Sequence, residues 1–463
     1  MNQVGVIGLG TMGANLARNT ARNGARVSVF NRTKERTDEF IKNHASEGSF
    51  TACDDLPPLI TSLSAPRAIL LMVKAGDAVD EMIRDLLPLL SKGDILIDGG
   101  NSHYRDTERR EKELIAKGIH FIGMGVSGGE EGALNGPSMM PGGSKEAVEM
   151  MMPLFQKMAA DDGAGGKCVT YMGPGGAGHF VKMVHNGIEY GIMQIIAECY
   201  DILKELGGFT NEELADLFDG WNQTPYLKSF LIEITGKIFR VKDGDADLLD
   251  VILDKAGQKG TGKWTTDAAM NYGIAVPIIT AAVDARILSG AKDFRVQRSK
   301  EAPFELIDTK LPKKEGLAHC IQAALELSIV SAYAEGFLLM STASTEEKWN
   351  LPLSEIARIW RGGCIIRSGI IEKYQAMFAG NKDAQMELRM LFSGERHHDW
   401  RTVIMLAIAR GIPVPSLAAS ITSYDAYRTE RLPQNLIQAQ RDFFGAHGFE
   451  KIGKAGQFHG EWE

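Results

Sequence analysis

Through about residue 130, apolar residues come in short runs that end on glycine-rich or polar turns. This is the pattern of buried parallel strands alternating with helices. Val4-Gly5-Val6-Ile7 predicts a strand, Gly8-Leu9-Gly10-Thr11-Met12-Gly13 a turn, and Ala14-Asn15-Leu16-Ala17 the start of a helix. Arg26–Phe30, Ala68–Val73, Asp94–Asp98 and the run opening at Phe121-Ile122 each lead into a polar or glycine loop. In a parallel sheet such loops gather at the carboxyl edge, where open α/β folds bind ligands.

From residue 179 the period lengthens to that of helices. A helix over about 179–207 is apolar or small on much of its surface, with Val184, Ile188, Ile195, Ile196 and Ile202, so it belongs inside a large domain. Leu214–Trp221 resembles Leu353–Trp360 at an offset of 139 residues, and Gly273–Pro277 resembles Gly411–Pro415 at 138. In the same register Glu189 and Glu198 fall opposite Glu326 and Glu335. Three ordered matches at a near-constant offset point to a duplicated helical unit. The expected architecture is α/β: a Rossmann-type parallel-sheet domain over 1–177, then a large all-helical domain over 178–433 with repeats of about 178–314 and 315–433. A C-terminal tail, 434–463, follows. Its Phe443, Phe444, His447, Phe449, Phe458 and Trp462 are unlike a disordered end and suit docking, either on a partner subunit or back on the chain itself.

Charge and cysteines narrow the function classes. A formal charge of -8 disfavours a nucleic-acid binder while permitting a local basic pocket. Cys53, Cys168, Cys199, Cys320 and Cys364 are scattered and never spaced C-x-x-C, which suggests neither zinc nor a disulfide framework. A reducing compartment fits, and the first strand begins with no signal peptide ahead of it. The runs Ala68–Val73 and Val403–Ala409 are too short to span a bilayer. A cytoplasmic protein with no membrane and no nucleic-acid partner is the expectation.

Three clusters carry chemistry. The first is G-x-G-x-x-G between strand and helix. Gly8 makes the turn, Gly10 admits a pyrophosphate and Gly13 lets helix pack on strand, with the helix N-terminus facing the phosphates. The second lies after Arg26–Phe30, where an NAD site usually carries Asp or Glu and this chain has Asn31-Arg32-Thr33. Arg32 can pair with a 2'-phosphate and Asn31 and Thr33 can donate to it, which favours NADP. Lys74 and Asn101, at two later strand ends, are candidates for the inner ribose and nicotinamide region. Ser127 and its glycine loop are candidates to hold a carboxylate or hydroxyls. The third cluster is Lys182, His185, Asn186 and Glu189, at i, i+3, i+4 and i+7 on one helix face. On spacing alone, Lys182–Glu189 reads first as a structural ion pair, which is what such buried groups usually are, and second as a base and an acid. A glycine fingerprint with a helical lysine also fits a β-hydroxyacid dehydrogenase that keeps its carboxylate, or a dead scaffold.

Taken together, Gly8–Gly13 with Asn31-Arg32-Thr33, Ser127–Ala133, Lys182–Tyr190, Gln258–Trp264, Trp360–Ser368 and Arg441–His447 resemble the decarboxylating 6-phosphogluconate dehydrogenases over essentially the whole chain. That resemblance implies NADP-dependent oxidation of 6-phospho-D-gluconate to D-ribulose 5-phosphate and CO2, in the pentose phosphate route and gluconate use. It implies a homodimer that exchanges its tails. Lys182 then corresponds to the general base and Glu189 to the general acid. Asn101, Ser127, Gly128, Gly129, His185 and Asn186 correspond to sugar-acid ligands, and Tyr190, Lys259, Thr261 and Arg286 to phosphate ligands. Arg441 and His447 would arrive from the other subunit. Gly8, Leu9, Gly10, Thr11, Met12, Gly13, Asn31, Arg32, Thr33, Val73, Lys74, Ala75 and Asn101 would hold the cofactor, and no metal is implied. Two positions depart from the family pattern, Ile192 where many members have Asp and Asp284 near the phosphate arginine, which bears on packing and phosphate affinity.

The chemistry asks one thing of Lys182 beforehand. A free lysine titrates at about 10.4, so the amine accepts a proton only if burial lowers that value.

Overall fold

A computed structural model describes residues 2–302 and 306–462 of the chain. Its first part is a seven-stranded sheet ordered β3-β2-β1-β4-β5-β6-β7. The strands are β1 (Asn2–Ile7), β2 (Arg26–Phe30), β3 (Ser49–Ala52), β4 (Leu63–Leu71), β5 (Ile95–Asp98), β6 (His120–Ser127) and β7 (Ser138–Gly143). All neighbours are parallel except β6 and β7. The order reverses between β1 and β4, and the crevice there is the usual nucleotide position. Helices cover both faces, so Val6, Val29, Ile69 and Leu96 are buried as the near-continuous apolar runs required.

β4 differs from its expected span. It starts at Leu63 rather than Ala68 and ends at Leu71. Pro66 and Arg67 interrupt the apolar pattern there, and the register against β1 shifts between Asn2 and Val4, so alternation hides the first half of the strand.

The second part is built around two long helices packed on each other, Ala177–Gly207 (the site helix) and Lys314–Glu346 (the sister helix). Gly208, left-handed at φ 61°, ends the site helix as only glycine does without strain. The sister helix is long and apolar enough by composition to cross a membrane, a property that the two short runs weighed from sequence did not reveal. Most of its apolar stretch is buried inside the protein.

Residues matched by the repeat occupy matching places. Pro277 and Pro415 each open a helix, Pro277–Gly290 and Pro415–Arg428. Glu335, on the sister helix, accepts the Ile278 and Ile279 N–H groups at 3.0 and 3.2 Å, while Glu198, on the site helix, accepts those of Ser416 and Leu417 at 2.9 and 2.8 Å. Each carboxylate thus satisfies the orphan donors of a helix in the other repeat, with the helix dipole favouring its charge. The domain is not wholly helical: Asp243-Gly244-Asp245 turns a two-stranded hairpin of Lys242–Asp243 and Ala246–Asp247, Gly244 supplying the φ of 62°.

Glycines set how closely the two parts meet. A methyl group on Gly178 would lie 2.3 Å from the Gly123 carbonyl oxygen and 2.4 Å from that of Met140. One on Gly125 would lie 2.4 Å from Lys182 Cβ, and one on Gly142 would lie 2.4 Å from the Gly178 nitrogen. The first turns of the site helix therefore press directly on β6 and β7.

Candidate active site

Gly8, at φ 97°, closes the first turn against β4: an added methyl would meet the Met72 carbonyl oxygen at 2.5 Å. One on Gly13 would overlap the Gly8 oxygen at 1.9 Å, whereas Gly10 has nothing within 4 Å. Two glycines are consumed by the fold and the middle one leaves backbone open, the arrangement a pyrophosphate over the Thr11–Arg22 helix needs. Leu9 and Met12 belong to this turn, and Val73-Lys74-Ala75 leaves β4 beside it.

Asn31 has a part beyond the expected one. Its Oδ1 accepts the Leu9 N–H at 3.0 Å and its Nδ2 donates to the Thr33 carbonyl at 3.1 Å. The side chain ties the two cofactor loops together with its oxygen and one of its two Nδ2 hydrogens, because a short amide at a strand end finds backbone partners nearby. Arg32 and Thr33 remain exposed beside the N-terminus of the Lys34–His44 helix, where an added phosphate would be favoured.

Asp98, at the end of β5, shapes the loop carrying Asn101. It accepts the Gly100 N–H at 3.0 Å and the Ser102 hydroxyl at 2.6 Å, leaving Asn101 exposed between them. β6 ends on buried Ser127, followed by Gly128 at φ 123° and Gly129 at φ 63°.

The site helix meets these strand ends through its polar stripe. Ser127 Oγ lies 3.1 Å from His185 Nε2, and His185 Nδ1 lies 3.2 Å from Asn186 Oδ1 and 3.5 Å from Lys182 Nζ. Glu189 Oε2 is 3.9 Å from the same His185 nitrogen, beyond hydrogen-bond range. Lys182 is only 6% exposed, and burial lowers its pKa, with Glu189 and then Cys364 pulling the other way. Burial raises the pKa of Glu189 against the pull of Lys182 and Arg286. Burial first, and the Lys182 charge second, hold His185 well below its ordinary value, so the imidazole is neutral. One amine and one carboxyl are thus pushed toward their neutral forms, in contact with no ordinary ion-pair partner. This is the condition for proton transfer rather than for a structural bridge.

One turn further, the Arg286 guanidinium stacks 3.4 Å from the Tyr190 ring centroid and donates to the Gly257 carbonyl at 3.2 Å. Thr261 is buried at the start of the Thr261–Asn271 helix, just after Gly260 at φ 94°. Lys259 is exposed in the preceding loop. Gly187 and Gly262 let this helix approach, since added methyls would meet Thr265 and Tyr190 at 2.6 and 2.5 Å. Four of the expected phosphate contacts therefore gather at one end of the stripe. Ile192 is buried in the core and Asp284 is exposed.

Sequence reasoning assigned no part to the wall behind His185. Trp360 stands edge-on to it with ring centroids 5.5 Å apart, and a methyl on Gly128 would come within 2.7 Å of the Gly363 carbonyl oxygen. The fully buried Cys364 thiol, raised to about 12 by burial, feels the Lys182 charge. The second repeat thus closes the cleft of the first. The glycine pair Gly362-Gly363 beside an aromatic was the available signal.

Arg441 and His447 have partners only within the tail in what can be described of them. Arg441 donates to Gln438 Oε1 at 3.1 Å, and the His447 ring faces Phe444.

Known proteins show the same organisation. The model of the "NAD binding domain of 6-phosphogluconate dehydrogenase" matches residues 3–173, and that of the "6-phosphogluconate dehydrogenase, C-terminal domain" matches 178–462. The chain is 50% identical to the NADP(+)-dependent, decarboxylating 6-phosphogluconate dehydrogenase of Bacillus subtilis, over 99% of both proteins. It is 49% identical to the decarboxylating 6-phosphogluconate dehydrogenase of Synechococcus elongatus, over 100% of this chain and 99% of that protein. Among solved structures it resembles Plasmodium falciparum 6-phosphogluconate dehydrogenase, determined apo, with NADP+ and with 6-phosphogluconate. That match has a TM-score of 0.94 at 39% identity and covers 99% of this chain and 100% of the other.

Proposed function

The chain belongs to the 6-phosphogluconate dehydrogenase family and oxidatively decarboxylates 6-phosphogluconate to ribulose 5-phosphate with NADP; on that premise we propose that Lys182 and Glu189 carry its proton transfers. NADP, when bound, supplies the hydride acceptor. The Gly8–Gly13 turn with Leu9, Thr11 and Met12 fits its pyrophosphate, Arg32 and Thr33 its 2'-phosphate, and Val73-Lys74-Ala75 with Asn101 its inner half.

Neutral Lys182 takes the C3 hydroxyl proton as the hydride leaves C3. The product is a β-keto acid whose C1 leaves as CO2 while the C3 carbonyl accepts the electron pair. The ammonium, now formed in a buried site, donates to that developing oxyanion, where low dielectric strengthens the interaction. Glu189, protonated at the outset, gives its proton to the former C2 of the enediol, which becomes C1 of ribulose 5-phosphate, and Lys182 takes back the hydroxyl proton. His185, Asn186, Ser127, Gly128 and Gly129 orient the sugar acid, and Tyr190, Lys259, Thr261 and Arg286 hold its phosphate. Arg441 and His447 complete the cleft from the tail of a second copy in a homodimer. The supporting observation is that a buried amine and a half-buried carboxyl, with no ion pair between them and shifted in opposite directions, share one helix face.

Substrate labelled at C1 tests the reading. The wild-type protein should release the label as CO2 in step with NADPH. Lys182→Ala should stop both while NADP still binds. NADPH formed with the label retained would overturn the decarboxylation, and turnover by Lys182→Ala would overturn the base.

A further inference from the structure

The tail is held together by a single buried carboxylate. Asp442 lies on the helix Gln434–Gly445 and is 4% exposed, although its neighbours Arg441, Phe443 and Phe444 are all exposed. Its Oδ1 accepts the Gly448 N–H and the His459 Nδ1–H, both at 2.8 Å. Its Oδ2 accepts the Gly460 N–H at 2.8 Å and the Trp462 indole N–H at 2.9 Å. Four donors, three of them from the last residues described, thus converge on one side chain.

The geometry has a directional result. Successive helical residues are about 100° apart, so turning residue 442 inward turns residue 441 outward. On the other side Ala446 adopts the left-handed region at φ 49°, a conformation that a residue other than glycine rarely takes. The Asp442 bond to Gly448 closes the loop that contains this residue and His447. Strands Phe449–Lys451 and Lys454–Phe458 pair as a hairpin that returns His459, Gly460 and Trp462 to the same carboxylate. The Trp462 ring lies 6.1–6.2 Å from Phe443 and Phe449, packing the far side.

We propose that Asp442 is a positioning residue for the sugar-acid site: it folds the tail into a preformed hook that presents Arg441 and His447 to a second copy of the chain. The proposal rests on the reading that these two residues complete that copy's cleft. A loose tail would lose the entropy of ordering a dozen or more residues each time it docked, whereas a preformed hook pays little at that step. The carboxylate therefore acts on substrate affinity without touching substrate.

Full-length variants separate the possibilities. Arg441→Ala should raise KM for 6-phosphogluconate about tenfold or more, the loss of a charged hydrogen bond to phosphate. Asp442→Ala should raise it by a similar factor, with NADP affinity unchanged and the dimer intact by sedimentation. The double variant should be little worse than either alone, because a misdirected Arg441 has nothing left to lose. A milder variant, Trp462→Phe, removes one of the four donors and keeps the ring. It should raise KM by about two- to fivefold with kcat nearly unchanged. Should Asp442→Ala give monomers, Trp462→Phe decides. A normal KM in Trp462→Phe, or fully additive effects of Asp442→Ala and Arg441→Ala, overturns the hook. An unchanged KM in Arg441→Ala would instead sink the tail's part in the cleft, and the hook with it.

Discussion

The site helix and the sister helix are the same device put to different uses. They pack against each other, and each sends a glutamate, Glu198 or Glu335, to cap a helix of the opposite repeat. Nine residues before that glutamate each carries another, Glu189 or Glu326, and here they part. Glu326 is paired: Arg396 donates to it at 2.7 Å and Gln322 at 3.1 Å. Among the described residues Glu189 has only the His185 nitrogen, 3.9 Å away. Where the site helix has Lys182, the sister helix has His319, exposed and 3.7 Å from Asp399. A buried carboxyl satisfied by arginine adds to specificity of packing, and a half-buried one without such a partner is available for chemistry. Within one duplicated frame, the copy whose carboxyl lacks an arginine partner is the one that carries the proposed proton transfers.

Paired substitutions test that contrast, and the largest difference should come from the two bases. Lys182→Ala should reduce kcat by about 10⁴-fold or more, the upper range for a general acid–base group, while His319→Ala leaves steady-state kinetics within about twofold. Comparable losses from both would erase the distinction. Next come the two carboxyls. Glu189→Gln should cost about 10²- to 10³-fold in kcat with little effect on melting. Glu326→Gln should lower the melting temperature by a few degrees and spare kcat.

The pH profile sharpens the same pair. On the proposed reading Lys182 acts as base only when neutral, so activity should rise with pH through its depressed pKa. A protonated Glu189 exerts no pull on that pKa, so Glu189→Gln should leave the acidic limb in place, and a shift of the limb to lower pH would show an ionised Glu189 and contradict its part as the acid. A smaller effect is expected from the symmetric caps. Glu198→Ala and Glu335→Ala should each destabilise by about 2 kcal/mol, because each strands two helix N–H groups. Burial raises Glu198 to about 7 and Glu335 to about 8. A carboxyl raised on folding binds its proton more tightly in the folded state. Its contribution is therefore full below the unfolded value of 4.5 and is lost as pH rises through about 7 and 8. Wild-type melting should fall over that window relative to a Glu198→Gln, Glu335→Gln variant, and parallel curves would refute it.

Local requirements were the readable ones. Gly8 and Gly13 announce themselves because no other residue fits their turns, and the Lys182–Glu189 stripe appears because helical period places it. The repeat was readable because Pro277 and Pro415 open equivalent helices. What sequence hid depended on contacts between distant segments. The start of β4 is masked by Pro66 and Arg67. Asn31 was expected to face a phosphate, and its amide is also held by Leu9 and Thr33, partners that only the folded loop brings within reach. Trp360 and Cys364 stand behind His185 although they belong to the other repeat. Asp442, flanked by exposed residues, gives no sign in sequence of the four donors that reach it from further along.

The glycine contacts between Gly123, Gly125, Gly142 and Gly178 leave no slack where the helix bearing the amine meets the nucleotide sheet. That joint is a mortise, and a mortise cannot serve as a pivot. Any opening of the cleft is then expected at the exposed stretch 252–259 bearing Lys259, while the seat of the amine on the sheet is set when the chain folds. A single added methyl at Gly125 would push that seat aside, since it would lie 2.4 Å from Lys182 Cβ.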